Sequence, residues 1–132
     1  PTTVSAALAA REHGLGIVMG APNLVRGGSH SGNVSALTLA RDDLLDCLSS
    51  DYVPHALLHA AFLLRDQAGW TLPKAIGTVS ANPARMVGLA DRGEVAVGKR
   101  ADFVRVRETP KADNLPAVPV PLGSWRQGLR IA

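Results

Sequence analysis

The sequence predicts an α/β fold in which parallel, helix-covered strands fill the chain up to about residue 92 and a small β-rich appendage follows. Three observations lead there. The runs "LGIVMGAPN" and "LLDCLSSD" are short, apolar and bounded by Gly, Pro or Asp, as strands buried on both faces are. Helical segments alternate with them in the order helix, strand, helix, strand, helix. After residue 88 turn signals and an alternating strand replace the helices. Two strands cannot close a helix-covered parallel sheet, so the pattern predicts part of a larger unit.

Each element has its own signal. Val4, Ala7, Leu8 and Ala10 have helical spacing over residues 3–13, and Gly14 marks the stop. Ile17 and Val18 give the first strand its β-branched character. A polar, glycine-rich loop, "NLVRGGSHSGN", comes next, and Asn33 or Ser35 can cap a helix running to about Asp43. The second strand ends in Ser49, Ser50 and Asp51. Pro54 suits the first turn of a helix through "PHALLHAAFLLRDQ". Pro73 and Pro83 do the same for two further helices, and Gly88 ends the last. In the appendage, turns fall at Arg92-Gly93 and Val97-Gly98-Lys99. Phe103, Arg105 and Arg107 alternate with Val104 and Val106, residues 108–117 read as a loop, and Gln127-Gly128 turns a terminal hairpin.

Composition narrows the function classes. The chain has 132 residues, 46% hydrophobic and 19% charged, which describes a globular protein with a core built mainly of Ala, Val and Leu. Net charge is +3 and the isoelectric point about 9.6, yet basic residues are dispersed and aromatics make up only 4%. That disfavours nucleic acid and favours attraction of a small phosphorylated substrate. No run of apolar residues is long enough for a membrane span, and the opening "PTTVSAALAARE" lacks the pattern of a signal peptide, so no membrane attachment is expected; a single cysteine, unable to form an internal disulfide, fits a reducing cytoplasm. The first residue is Pro1 and not Met, from which either a trimmed start or missing upstream sequence is expected. The sole cysteine, Cys47, reads as a buried structural thiol.

Two places carry candidate chemistry. Asp51 directly follows a strand, at the end where parallel α/β proteins place their active sites, and could hold a metal or take a proton from water. It could equally cap the following helix. The second place is "RGGSHSGN". Gly27 and Gly28 would let backbone N–H groups converge on an anion, Ser29, Ser31 and Asn33 add neutral donors, and Arg26 adds a cation. His30 could be a metal ligand, a proton donor or a phosphate contact; the alternative is a solvated histidine in a surface loop. His55 and His59 share a helical face but lack the glutamate of a zinc-protease pair, so packed or surface histidines are the simpler reading. His13, beside Gly14, reads as a cation at a helix C-terminus.

"VMGAPNLVRGGSHSGNVSA", "LSSDYVP" and "SANPARMVGLADRGEVAVGKRADFVRV", in that order, resemble the triphosphate diphosphatases of carbon–phosphorus lyase metabolism, a family within the amidohydrolase superfamily. The third segment marks the superfamily; the glycine-rich stretch and "SSDYVP" are narrower. The resemblance weakens after about residue 108. It implies a (β/α)8 barrel with a small β-sandwich, of which this chain would be the C-terminal part: strands seven and eight with helices over residues 1–92, and the C-terminal share of the sandwich over 93–132. It implies a divalent metal, zinc or similar, with Asp51 as metal ligand and general base. Arg26, Gly27, Gly28, Ser29, His30, Ser31 and Asn33 would form the substrate loop.

The implied reaction is hydrolysis of α-D-ribose 1-methylphosphonate 5-triphosphate to the 5-phosphate and pyrophosphate. The superfamily's His-x-His, mid-barrel bridge and further histidines have no counterpart here, so most metal ligands are expected on a missing N-terminal barrel portion, the chain's implied partner. The chain alone is then expected to be inactive and prone to associate, with a homo-oligomer left open. No role is carried over to His55 or His59. Two alternatives stand: a superfamily hydrolase of carbon–nitrogen bonds, and a non-catalytic truncated or split-enzyme subunit.

Overall fold

The structure is a computed structural model that describes residues 1–29, 31–109 and 118–132. His30 and most of the 108–117 loop therefore lie outside the described residues. Helix α1 (Val4–Glu12) begins at Thr3, whose side chain accepts from the Ala6 N–H, and ends at His13 and Gly14. Strand β1 (Val18–Gly20) pairs in parallel with β2 (Cys47–Ser49), Val18 opposite Cys47 and Gly20 opposite Ser49. Both strands are shorter than the apolar runs that predicted them. The alternation of helices and strands stands, but two helices and not one lie between β1 and β2.

The helices between the strands differ in detail from the sequence expectation. The segment expected to be the start of a loop forms a short helix, α2 (Ala21–Val25), because Pro22 sits in its first turn and Pro22 and Leu24 are buried. Of the two candidate caps for α3 (Ala36–Arg41), Ser35 acts: its hydroxyl accepts from the Thr38 N–H at 2.9 Å. Helix α4 (Ala56–Ala68) starts two residues after Pro54, with His55 at the N-cap, so Pro54 ends the preceding turn and does not open the helix. Pro73 stands in the first turn of α5 (Leu72–Gly77), and Pro83 lies early in α6 (Ala81–Met86).

One core holds this layer together. Ile17, Met19 and Leu48 project from the sheet toward Leu24, Leu39, Leu44 and the Ala56–Ala60–Leu64 stripe of α4. That stripe has the i, i+4, i+8 spacing of one helix face. Trp70 closes the edge, its indole N–H donating to the Ala40 carbonyl at 3.1 Å. Cys47 is buried, as expected, and burial pushes its thiol pKa up, with the Asp46 charge adding to the effect.

The appendage is a three-stranded antiparallel sheet, β3 (Phe103–Thr109), β4 (Val118–Arg126) and β5 (Leu129–Arg130). Phe103 stacks on Trp125 at 4.8 Å between ring centres. The hairpin turns at Gln127-Gly128 as the sequence predicts, with φ of 51° and 78°. These are the two left-handed positions of a type I′ turn, the hairpin turn that matches strand twist. Gln127 tolerates its position because its N–H donates to the Asp102 carboxylate at 2.8 Å. That bond, with Arg100 second, holds the Asp102 carboxyl below its ordinary pKa. The sheet joins the helical layer through β4 against α4 and through an ion pair between Arg65 and Glu108 at 2.7 Å. Among the described residues no helix is long and apolar enough to cross a membrane.

Candidate active site

The C-terminal ends of β1 and β2 lie side by side, because Gly20 pairs with Ser49. Past Ser49 the chain turns through Ser50 and Asp51, and the Val53 N–H returns to the Ser50 carbonyl at 3.0 Å. Asp51 takes the left-handed conformation with φ of 52°. A residue with a Cβ pays about 1–2 kcal/mol there, and such strain tends to collect where a side chain must be aimed. Asp51 is not the cap of α4, since His55 holds that position. Its side chain is exposed, and among the described residues no hydrogen bond or ion pair engages its carboxylate.

The carboxylate lies across the end of the neighbouring strand. A Cβ built on Gly20 would stand 2.9 Å from Asp51 Oδ2. On the other side of the turn, the Arg26 guanidinium lies over the Tyr52 ring at 5.2 Å. The fold thus brings together the two places marked by the sequence, the Asp51 turn and the start of the glycine-rich loop. Tyr52 makes the link, and the residue-by-residue reading missed it, although its position next to Asp51 was a signal.

The loop itself is built partly as a helix stop. The Gly27 and Gly28 N–H groups, expected to face an anion, donate to the Leu24 and Asn23 carbonyls at 3.1 and 2.9 Å. Gly27 has φ of 80°, the left-handed position that lets α2 end in this way. Ser29 Oγ accepts from the Ser31 N–H at 3.2 Å, and Ser31 and Asn33 are exposed. Asn23 clasps the loop's far end, its Oδ1 accepting from the Ala36 N–H at 2.8 Å. His30, the remaining loop candidate, lies outside the described residues.

His55 is exposed and His59 half-buried. Among the described residues no three His, Cys, Asp or Glu side chains converge as a metal ion would require. Asp51 therefore fits a metal as one donor of a set, not as a centre by itself: an aspartate with open oxygens at a strand end is a common hard ligand.

The opposite end of the strands carries a different carboxylate. Asp46, just before β2, accepts from the Ile17 N–H at 2.7 Å and pairs with Arg11 at 3.1 Å. Its carbonyl accepts from Asn82 at 2.8 Å. A cleft of about 460 Å³ opens there, lined by Arg11, Asp43, Asp46, Trp70 and Lys74. Its charges pair with one another, Lys74 with Asp43 at 2.6 Å and Arg11 with Asp46.

A parallel pair with an exposed carboxylate beyond the strand C-termini and a β appendage suits one large class of hydrolases, and comparison with known proteins agrees. The amidohydrolase family model matches residues 13–121, and the chain belongs to that family. It is 50% identical over 99% of its length to the α-D-ribose 1-methylphosphonate 5-triphosphate diphosphatase of Escherichia coli strain K12. That match covers 34% of the relative, so the chain spans about a third of that protein's length. Dihydroorotase from Methanopyrus kandleri is 35% identical over 64% of the chain and 24% of its own length. The N-acyl-D-glutamate deacylase of Alcaligenes xylosoxydans xylosoxydans is 42% identical over 45% of the chain and 13% of its own length.

Proposed function

We propose that this chain supplies the seventh and eighth strands of an amidohydrolase barrel and the C-terminal strands of its β-sandwich, over residues 1–92 and 93–132. In this reading the assembled enzyme hydrolyses α-D-ribose 1-methylphosphonate 5-triphosphate to the 5-phosphate and pyrophosphate, a step of phosphonate metabolism. The observation that carries it is the Asp51 carboxylate, strained into place at a strand C-terminus, with no partner among the described residues, beside the Arg26–Tyr52 stack. Identity of 50% along 99% of the chain to the E. coli diphosphatase supports the substrate.

Asp51 orients the attacking water and takes its proton. The new bond joins the water oxygen to phosphorus, and the phosphoanhydride bond breaks to release pyrophosphate. Arg26, with Ser29, Ser31 and Asn33, holds the phosphate or phosphonate oxygens, while Gly27 and Gly28 shape the loop and His30 joins it. Phosphoryl transfer asks mainly for positioning and charge neutralisation, which such a loop provides. A divalent metal such as zinc, with Asp51 among its ligands, would polarise the phosphoryl group and favour attack by water. Its other ligands would come from the rest of the barrel, the chain's partner, and the assembled enzyme would work in the cytoplasm, as a homo-oligomer if copies associate. Exposed Val95, Phe103, Val104, Leu129 and Ile131 support such covering by further polypeptide.

The matches to a dihydroorotase and a deacylase favour a second reading, hydrolysis of a carbon–nitrogen bond. Side-by-side turnover of the triphosphate and of a cyclic amide by the assembled enzyme separates the two. Pyrophosphate release with an inert amide is expected; amide opening with an inert triphosphate would overturn the diphosphatase reading.

A further inference from the structure

Gly20 does not owe its identity to backbone conformation. Its φ of −71° and ψ of 129° are extended values open to every residue. Space is the constraint. A Cβ at position 20 would meet Asp51 Oδ2 at 2.9 Å, Asp51 Cβ at 3.5 Å and Asp51 Cγ at 3.6 Å. All three near neighbours belong to one side chain, the one carboxylate held in a left-handed turn at this end of the sheet. The missing methyl of Gly20 is the seat in which that carboxylate lies.

We propose that Gly20 is a positioning residue for Asp51: its lack of a side chain lets the carboxylate lie across the end of β1 in the orientation the reaction needs. The inference rests on the role given to Asp51 above. Gly20→Ala would push the carboxylate aside without removing it or changing its charge. Gly16 provides the control, since a Cβ there would meet the Met86 Cε at 2.6 Å, the far end of a flexible side chain away from Asp51.

The test is a double-mutant cycle read in two ways. In the assembled enzyme, Gly20→Ala should lower kcat by about 10²-fold, the scale of an ångström's misplacement. Zinc retained after dialysis should fall with it, while Gly16→Ala leaves both unchanged. In an Asp51→Ala background, Gly20→Ala should cost nothing further in kcat or zinc.

Thermal unfolding of the assembled enzyme gives the second reading. Gly20→Ala should leave the midpoint nearly unmoved, because the exposed Asp51 carboxylate can swing aside as the Met86 terminus does, so that the kcat and zinc losses report displacement and not unfolding. A Gly20→Ala enzyme that fails to fold but is rescued by Asp51→Ala supports the proposal equally. Normal kcat and zinc in Gly20→Ala, or losses that simply add to those of Asp51→Ala, would overturn it while leaving the diphosphatase reading standing. Full turnover by Asp51→Ala alone would overturn that reading and the inference together.

Discussion

The parallel strand pair has an aspartate just outside each end, and the two are held in opposite ways. Asp46, at the N-terminal end, has both carboxylate oxygens engaged, one by the Ile17 N–H and one by Arg11. Asp51, at the C-terminal end, has neither engaged by a described residue, and its backbone carries strain. A carboxylate with both oxygens engaged fastens elements; an exposed one in a costly conformation is, on the reading proposed above, available to a ligand. The polarity agrees with barrel enzymes in general, where chemistry sits beyond the strand C-termini and the other face serves stability. Sequence position marks Asp51 by its place after the strand, but that both oxygens of Asp46 are engaged shows only in the structure.

The contrast can be broken in several places. The largest expected effect on stability is at Asp46. Asp46→Ala leaves the Ile17 N–H without its acceptor and Arg11 without its anion, and should cost about 1–3 kcal/mol of folding stability. Turnover per folded molecule should hold. Urea unfolding of the chain, set beside activity normalised to folded protein, reads both. A variant as stable as the parent would remove the fastening role.

A smaller effect is expected at Tyr52. Tyr52→Ala removes the ring under the Arg26 guanidinium, an exposed contact worth about 0.5–1 kcal/mol. KM for the triphosphate should rise by about two- to fivefold, with kcat nearly unchanged. An unchanged KM would remove Tyr52 from the positioning of Arg26.

The smallest is a pH effect at the fastened end. Burial, with Asp46 second, raises the Cys47 thiol above its ordinary value of about 9. The folded chain then keeps its proton where the unfolded chain loses it. Stability from this group is full below about pH 9 and declines as pH rises through the raised folded value. Denaturant midpoints between pH 7 and pH 10 should fall further in the parent than in Cys47→Ala, and equal falls would discount the thiol.

Much of the fold could be read because its signals are local. Apolar runs between breakers gave both parallel strands, and Gln127-Gly128 gave the terminal hairpin. Helix α2 escaped because its five residues run straight on from β1 with no polar break between them. The start of α4 was misplaced because proline fits a turn before a helix as well as its first turn, and only Ala56 onward closes the helical bonds. At the site, Asp51 stood out by its place after a strand. Gly20, Tyr52, Asn23 and Asp46 did not, because what singles each of them out is a contact with a residue distant in sequence or a clash that would arise in space. The roles of Gly27 and Gly28 as a helix stop likewise depended on where α2 ends.

The most direct test of the two-ended account compares Asp51→Asn with Asp46→Asn in the assembled enzyme, measuring pyrophosphate release and unfolding midpoint for each. Asp51→Asn should lose on the order of 10²–10⁴-fold in kcat, the usual contribution of a positioned base, with its midpoint nearly unmoved. Asp46→Asn should do the reverse. Near-parent turnover by Asp51→Asn would contradict the account and leave the strained carboxylate without a catalytic role.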